Sequence, residues 1–156
     1  MKIAVATDHR GHEAIEQIKA IISQLGLSYT DFSTPGDQPV DYPDMAYLAA
    51  KAVASGEADR AILVCGTGIG MSIAANKIKG IRAALCFDEL AAKLSREHND
   101  ANVLCLSGEL VGQNMMRKIV ETWLATDFSA GRHLRRVRKI QAIEEGMDPR
   151  EITTTQ

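Results

Sequence analysis

Residues 61–72 read AILVCGTGIGMS, an aliphatic run that ends on a cysteine and passes directly into three glycines. A short aliphatic run bounded by glycine is typical of a buried β-strand. Gly66, Gly68 and Gly70 indicate a tight turn into a helix, because glycine adopts backbone conformations that other residues avoid. The stretch therefore predicts a strand, a loop and a helix in succession, the unit from which parallel α/β sheets are built.

Four further strand-like runs lie along the chain, at residues 3–6, 28–32, 81–87 and 103–106. Segments with helical spacing separate them, and in the first segment the apolar side chains share one helical face before Gly26 stops it. The last helical segment repeats this spacing from Met116 to Leu124. The alternation predicts an α/β fold, an open five-stranded parallel sheet with helices on both faces in three α/β/α layers.

The size and composition of the chain favour one domain. Of its 156 residues 46% are hydrophobic, which is enough to bury a core without disulfides. We expect a single domain over residues 1–145. A polar tail without periodicity is expected over residues 146–156.

The charge and the cysteines indicate where the protein works. The formal net charge is −2 and the sequence pI is about 6.1, which gives no general attraction to nucleic acid or to anionic membranes. Three cysteines, an odd number, predict free thiols in a reducing compartment. Because the first residues lack a signal-peptide pattern and no apolar stretch approaches ~18 residues, we expect a cytoplasmic protein.

Residues capable of chemistry follow the predicted strand ends. They occupy positions 8–11, 65–70, 88 and 107–109. The carboxyl ends of parallel strands meet at one edge of a sheet, and ligands bind there, in the crevice where the winding direction reverses. The segment before the last strand adds residues 98–100, which read HND.

The glycine loop admits several interpretations. Its N–H groups can bind an oxyanion or phosphate, or the loop can be only a tight turn. A dinucleotide site fits poorly, because Met71 replaces the third glycine of that fingerprint and the loop follows the third strand rather than the first. Asp88 is better explained as the N-cap of the next helix. No lysine of the Walker type follows Gly70.

Cys65 differs from the other two cysteines in its position. Cys86 and Cys105 lie inside aliphatic runs, where cysteine behaves as a small buried hydrophobe. Cys65 ends its strand before a glycine turn and a helix, a setting that makes a thiolate available as a base or nucleophile. A neighbouring second cysteine, which a redox pair or a zinc site needs, is absent from the sequence.

Two histidines and two arginines complete the candidates. His9 and His98 stand in loop-like context, where most histidines are simply exposed, and a metal site that joins them to Asp8 lacks the usual ligand spacing. Arg132 and Arg136 share a face if their segment is helical, and their repulsion is relieved by an anion. Guanidinium groups suit phosphate oxygens, and a solvated basic helix is the alternative.

Five motifs together suggest a family: Asp8-His9, Asp41-Tyr42-Pro43, CGTGIGMSIAANK at residues 65–77, His98-Asn99-Asp100 and Gly131-Arg132-His133. They resemble ribose-5-phosphate isomerase type B, a family that also includes isomerases of galactose 6-phosphate and allose 6-phosphate. The resemblance extends to about residue 145. It implies a Rossmann-like fold and an aldose–ketose isomerase of the pentose phosphate pathway that uses neither metal nor cofactor.

The resemblance also implies residue roles and an assembly. Cys65 is the proton-shuttling base, Thr67 with the loop amides stabilises the cis-enediolate, and His98 assists opening of the furanose ring. Substrate contacts are implied for Asp8, His9, Asp41, Tyr42, Gly66, Gly68, Ile69, Gly70, Asn99, Arg132 and Arg136. The implied assembly is a homodimer with active sites between subunits, which leaves a tetramer open.

Departures from the family pattern concern mechanism and substrate. One branch of the family has serine at the position of Cys65 and glutamate at that of Ile69, so this chain fits the thiolate mechanism. Glu109 stands where relatives carry arginine, and Arg10 replaces a small or apolar residue. These two keep a six-carbon sugar phosphate as an alternative substrate. A non-catalytic module that binds a sugar phosphate or nucleotide is a further alternative.

Overall fold

Five parallel strands form the central sheet. The computed structural model describes residues 1–35 and 38–153. The strands lie in the order β2-β1-β3-β5-β4, and all four pairings are parallel. Their bounds are β1 Lys2–Thr7, β2 Ser28–Asp31, β3 Arg60–Cys65, β4 Ala83–Leu85 and β5 Val103–Ser107. The predicted five-stranded parallel sheet is confirmed.

Helices cover both faces of this sheet. Their bounds are α1 His12–Gln24, α2 Tyr42–Ala54, α3 Ile69–Ala75, α4 Glu89–Asn99, α5 Gln113–Ala125 and α6 Arg132–Glu144. Helices α1, α4 and α5 contribute to one buried apolar cluster, and α2 and α3 contribute to a second. The prediction of three α/β/α layers is therefore confirmed.

Alternation along the inner strands divides the core between the two faces. On β3, Ile62 and Val64 enter the first cluster, whereas Ala61, Leu63 and Cys65 enter the second. Successive side chains of a strand point to opposite faces. Because both faces of a parallel sheet are covered by helices, its strands read as continuous aliphatic runs.

The strand order fixes the position of the crevice. From β1 the chain winds to β2 on one side, and it returns to place β3 on the other side of β1. The switch point therefore lies between the carboxyl ends of β1 and β3, where Thr7 pairs with Val64. β5 adjoins β3, and Cys65 is in register with Ser107.

Local signals explain the ends of several elements. Asp88 caps α4, since its Oδ1 accepts a hydrogen bond from the N–H of Ala91 at 2.7 Å, which confirms the predicted N-cap. After α6 the chain turns at Gly146 and forms a short 3-10 helix, Pro149–Glu151, held to α6 by Lys139 Nζ at 2.7 Å from the carbonyl of Pro149. Residues 154–156 of the predicted tail lie outside the described residues.

Candidate active site

The loop after β3 places the thiol of Cys65 at the crevice. Cys65 is 4% exposed, and its Sγ accepts a hydrogen bond from the N–H of Gly68 at 3.2 Å. The same loop is fixed from β5, since Ser107 Oγ donates to the carbonyl of Gly66 at 2.6 Å. The arrangement therefore holds the sulfur of Cys65 in one place at the carboxyl edge of the sheet.

Gly68 makes this turn possible. Its φ is +77°, a left-handed conformation that residues with side chains rarely adopt. A Cβ at this position would lie 2.6 Å from Leu85 Cδ1 and 2.8 Å from the carbonyl carbon of Leu106. The loop therefore packs directly on β4 and β5, and glycine is required by both conformation and space.

Two other glycines of the loop are covered by large side chains. A Cβ on Gly70 would lie 2.5 Å from the ring of Tyr42, which belongs to the first turn of α2. Above Gly66, Arg10 Nε and Glu109 Oε1 form an ion pair of 2.7 Å that joins the ends of β1 and β5. Tyr42 and this ion pair therefore form parts of the rim around the glycine loop.

The end of β1 contributes Asp8 and His9 to the same edge. The side chain of Asp8 is buried, and its Oδ1 accepts a hydrogen bond from the N–H of Arg10 at 2.9 Å. His9 is exposed and accepts at Nδ1 from the N–H of Val40 at 3.4 Å, one residue before Asp41. Eight of the predicted site residues lie along this edge with Asp41 and Tyr42: Asp8, His9, Cys65, Gly66, Thr67, Gly68, Ile69 and Gly70.

The other two thiols are unsuited to proton transfer. Burial raises the pKa of Cys86 to about 11. Complete burial also raises the pKa of Cys105 well above its ordinary value. Both therefore stay protonated near neutral pH, in agreement with their assignment to the core.

The remaining predicted residues lie at the opposite edge of the sheet. Helix α4 starts after β4 and runs antiparallel to the strands, so its last residues return to the amino ends. Arg82, which precedes β4, donates from Nε to the carbonyl of Asn99 at 3.0 Å. His98 and Asn99 therefore lie beside the start of β4, whereas Cys65 lies at the end of β3.

The first turn of α6 joins His98 at this amino edge. The rings of His98 and His133 stack with centroids 4.1 Å apart and planes 6° apart. Arg132 and Arg136 lie on the same helix, four residues apart, and both are exposed. The predicted helical spacing of the two arginines is confirmed.

His133 is a candidate that the sequence interpretation left without a role. Its motif was recognised, but a stack between residues 35 positions apart leaves no periodic signal in a sequence. The ring is buried, and its Nδ1 has no hydrogen-bond partner within the described part of the chain. The exposed guanidiniums of Arg132 and Arg136 on the same helix supply positive charge that suits an anion.

Titration of His133 leads to a testable pH dependence. Burial first, and then His98, Arg132 and Arg136, lower the pKa of His133 from its ordinary 6.5. Between the lowered pKa of the folded state and the ordinary 6.5 of the unfolded state, the unfolded chain binds more protons than the folded chain. The free energy of unfolding therefore falls as pH drops below about 6.5. We expect His133→Asn to flatten the pH dependence of the urea midpoint in this range. His12→Asn is the matched control; an unchanged slope in His133→Asn contradicts the assignment.

One chain alone does not bring the two groups of residues together. The length of β3 from Arg60 to Cys65 is about 16 Å, at ~3.3 Å per residue. Helix α4 spans a similar length of about 16 Å, at ~1.5 Å per residue. The edge with Cys65 and the edge with His98 are thus separated by roughly the full height of the sheet.

The same separation bears on the metal site considered from sequence. His9 and His98 lie at opposite edges, so they form no common site with Asp8 inside one chain. Within residues 1–35 and 38–153, no group of three or more His, Cys, Asp or Glu residues is arranged to hold a metal ion. None of the helices described combines the length and apolar character that a membrane crossing needs.

Comparisons with known proteins place this geometry in a family. The model of the family described as Ribose/Galactose Isomerase matches residues 3–140. Ribose-5-phosphate isomerase B of Escherichia coli is 45% identical over 144 residues, 92% of this chain and 97% of that protein. D-erythrulose-4-phosphate isomerase of Pectobacterium atrosepticum is 39% identical over 90% of this chain and 93% of its own.

A solved structure agrees with the sequence relatives. Ribose-5-phosphate isomerase B of Clostridium thermocellum superposes with a TM-score of 0.92 and 49% identity, over 94% of this chain and 99% of that one. Fold and sequence therefore agree over nearly the whole length. The chain belongs to the ribose/galactose isomerase family.

Proposed function

We propose that this protein interconverts ribose 5-phosphate and ribulose 5-phosphate, with Cys65 as the base. The single observation that supports this most is the buried sulfur of Cys65, which accepts the N–H of Gly68 at 3.2 Å in the crevice of the sheet. The E. coli relative carries the name of this activity. An aldose–ketose isomerase needs a positioned base and donors for an anionic oxygen, and this loop offers both.

The proposed chemistry is a proton transfer between neighbouring carbons. The thiolate of Cys65 removes the proton from C2 of the open-chain aldose, and the electron pair moves to form the C1–C2 double bond of a cis-enediolate. The proton of the C2 hydroxyl passes to the oxygen on C1, and the thiol then returns its proton to C1 as the oxygen on C2 becomes the carbonyl, which regenerates the thiolate. Atoms and charge balance, because substrate and product are isomers.

The glycine loop stabilises the charge that develops on oxygen. Thr67 is exposed, and its Oγ1 accepts from the N–H of Ile69 at 3.3 Å, which leaves the hydroxyl proton available to a substrate. The N–H of Gly68 is held by Cys65 Sγ and that of Ile69 by Thr67 Oγ1, so the N–H groups of Gly66, Thr67 and Gly70 are the loop donors assigned to the substrate oxygen. Fixed donors of this kind stabilise an enediolate without reorganising during the reaction.

The residues at the amino edge of the sheet contact the phosphate and the sugar ring of the substrate. Arg132 and Arg136 bind the phosphate, since an anion relieves their repulsion across one helical turn. His98 exchanges the proton that opens the furanose ring, and Asn99 holds a hydroxyl. The two exposed guanidiniums on α6, the helix whose first turn carries the His98–His133 stack, support these assignments.

A complete site requires two copies of the chain. Cys65 and His98 lie at opposite edges of one sheet, so a second copy must bring its amino edge to the glycine loop of the first. Apolar side chains beside the loop support such a contact: Ile69 is 50% exposed and Ile73 is 59% exposed on α3. We propose a homodimer with two such composite sites, and pairing of dimers into a tetramer is compatible with it.

The ion pair above Gly66 bears on the choice of sugar. Arg10 and Glu109 lie at the rim of the glycine loop. Their charges neutralise each other, so neither offers a strong net attraction to phosphate in this arrangement. The pair therefore favours contact with hydroxyl groups, and a six-carbon sugar phosphate remains the second candidate substrate.

A substrate panel tests the proposed function. Purified protein, treated with chelator, is assayed on ribose 5-phosphate, erythrulose 4-phosphate, allose 6-phosphate and galactose 6-phosphate. We expect the highest kcat/KM with ribose 5-phosphate, and deuterium from D2O at C1 of the ribulose 5-phosphate formed. A higher kcat/KM with a sugar of another length overturns the pentose assignment. Inactivity on every sugar, with retained sugar-phosphate binding, identifies a binding module instead.

A further inference from the structure

Beyond the residues that contact substrate, a charged cluster holds the end of α4 in one conformation. Asp100 follows Asn99 with φ +47° and ψ +45°, a left-handed conformation in a residue other than glycine. Asp and Asn adopt this conformation more readily than other residues with side chains. The chain therefore makes a defined turn directly after His98 and Asn99, the residues assigned to the substrate.

Two arginines bind the carboxylate of Asp100, one at each oxygen. Arg96 Nη1 lies 2.9 Å from Oδ1, and Arg82 Nη2 lies 3.0 Å from Oδ2. Arg82 also donates from Nε to the carbonyls of Asn99 and Asp100, each at 3.0 Å. Both carboxylate oxygens and both adjacent carbonyls of the turn are thus fixed by charged donors.

Arg96 anchors this cluster in the protein interior. Its side chain is only 6% exposed. It donates from Nη1 to the carbonyl of Ala101 at 2.6 Å and from Nε to that of Thr126 at 3.3 Å. A buried guanidinium with one carboxylate partner holds that partner tightly, because no water is available to take the place of the carboxylate.

We propose that Asp100, held between Arg82 and Arg96, is a positioning residue that orients His98 for ring opening of the sugar phosphate. The inference rests on the proposed function, in which His98 contacts substrate. The His133 ring fixes one face of His98, and the Asp100 turn fixes the backbone two residues later. Small displacements of a catalytic group reduce rate far more than binding.

The principal test is a double-mutant cycle between Asp100 and His98. Asp100→Asn keeps the left-handed turn and the side-chain size but removes the charge. We expect its kcat with ribose 5-phosphate to fall about 10- to 100-fold, with KM changed by less than about threefold. In a His98→Asn background the same change lowers kcat by less than about twofold, because it acts through His98.

Two further variants separate positioning from stability. Arg82→Lys retains the charge but loses the Nε contacts to the turn, and it is expected to lower kcat in the same direction. Arg60→Gln is the matched control. The guanidinium of Arg60 lies 5.3 Å from the ring centroid of Trp123, and that of Arg96 lies 5.8 Å from the same centroid. Arg60 donates to the carbonyls of Trp123 and Leu124 and not to the α4 turn. The variant is expected to lower Tm while kcat is retained.

The outcomes distinguish this inference from the proposed function. If Asp100→Asn lowers kcat equally in the wild-type and His98→Asn backgrounds, Asp100 does not act through His98 and the inference is overturned. It is also overturned if kcat of Asp100→Asn stays within about twofold of wild type. Inactivity of the wild-type protein on every sugar phosphate removes the proposed function itself, which is a different result.

Discussion

Replacement of Cys65 by alanine is expected to lower kcat for ribose 5-phosphate by about 10³-fold, within the range that removal of a positioned general base produces. The carboxylates nearest the glycine loop are already engaged, and Glu109 is ion-paired with Arg10 at 2.7 Å. Asp8 is buried and is engaged with the N–H of Arg10. The measurement is steady-state isomerisation, with KM determined at the same time, since loss of the base lowers kcat while the phosphate contacts keep KM similar.

Cys86→Ala is the matched control for this experiment. It also removes a buried thiol, but one whose pKa is raised to about 11 by burial and whose side chain packs in the core. It is expected to lose stability and to keep kcat. Wild-type turnover in Cys65→Ala would show that another group shuttles the proton.

Local features of this fold could be predicted from the sequence. The aliphatic run at 61–65, ended by glycines, became β3 and its loop, and the apolar stripe from Met116 to Leu124 became the buried face of α5. Asp88 was correctly assigned as a helix cap. These features depend on neighbouring residues and on spacing, which a sequence displays directly.

Contacts between distant segments could not be predicted in the same way. The ring of Tyr42 over Gly70, the Arg10–Glu109 ion pair over Gly66 and the His98–His133 stack each join separate elements. Their formation depends on strand order, and many orders are compatible with one pattern of strands and helices. The strand order β2-β1-β3-β5-β4 is information that only the structure provides.

The division of the predicted site between two edges follows from the fold class and does not depend on the strand order. A helix between two parallel strands runs back along the sheet, so the end of α4 lies at the amino edge. In the sequence, residues 98–100 join the strand-end candidates, and the resemblance then assigns His98 and Asn99 to the site of Cys65. The fold adds that one chain separates them by about 16 Å, the length of a strand or helix here.

The second large effect is expected for the arginine pair of α6. The double variant Arg132→Gln, Arg136→Gln removes two charged donors for phosphate, and hydrogen bonds to charged groups contribute about 1.5–3 kcal/mol each. We expect kcat/KM for ribose 5-phosphate to fall about 100- to 10,000-fold. Arg138→Gln is the matched control, since Arg138 is also exposed on α6 but lies six residues from Arg132 and off its face. An equal loss in Arg138→Gln would point to overall charge rather than to a phosphate site.

Mixing two inactive variants tests most directly whether the active site is shared between chains. Cys65→Ala is combined in equal amounts with the Arg132→Gln, Arg136→Gln variant under conditions that allow subunits to exchange. If each site takes its thiol from one chain and its arginines from the other, half of the dimers carry one intact site, and activity recovers to about one quarter of wild type. If activity stays at the level of the separate variants although exchange is complete, each site lies within one chain and the account is wrong.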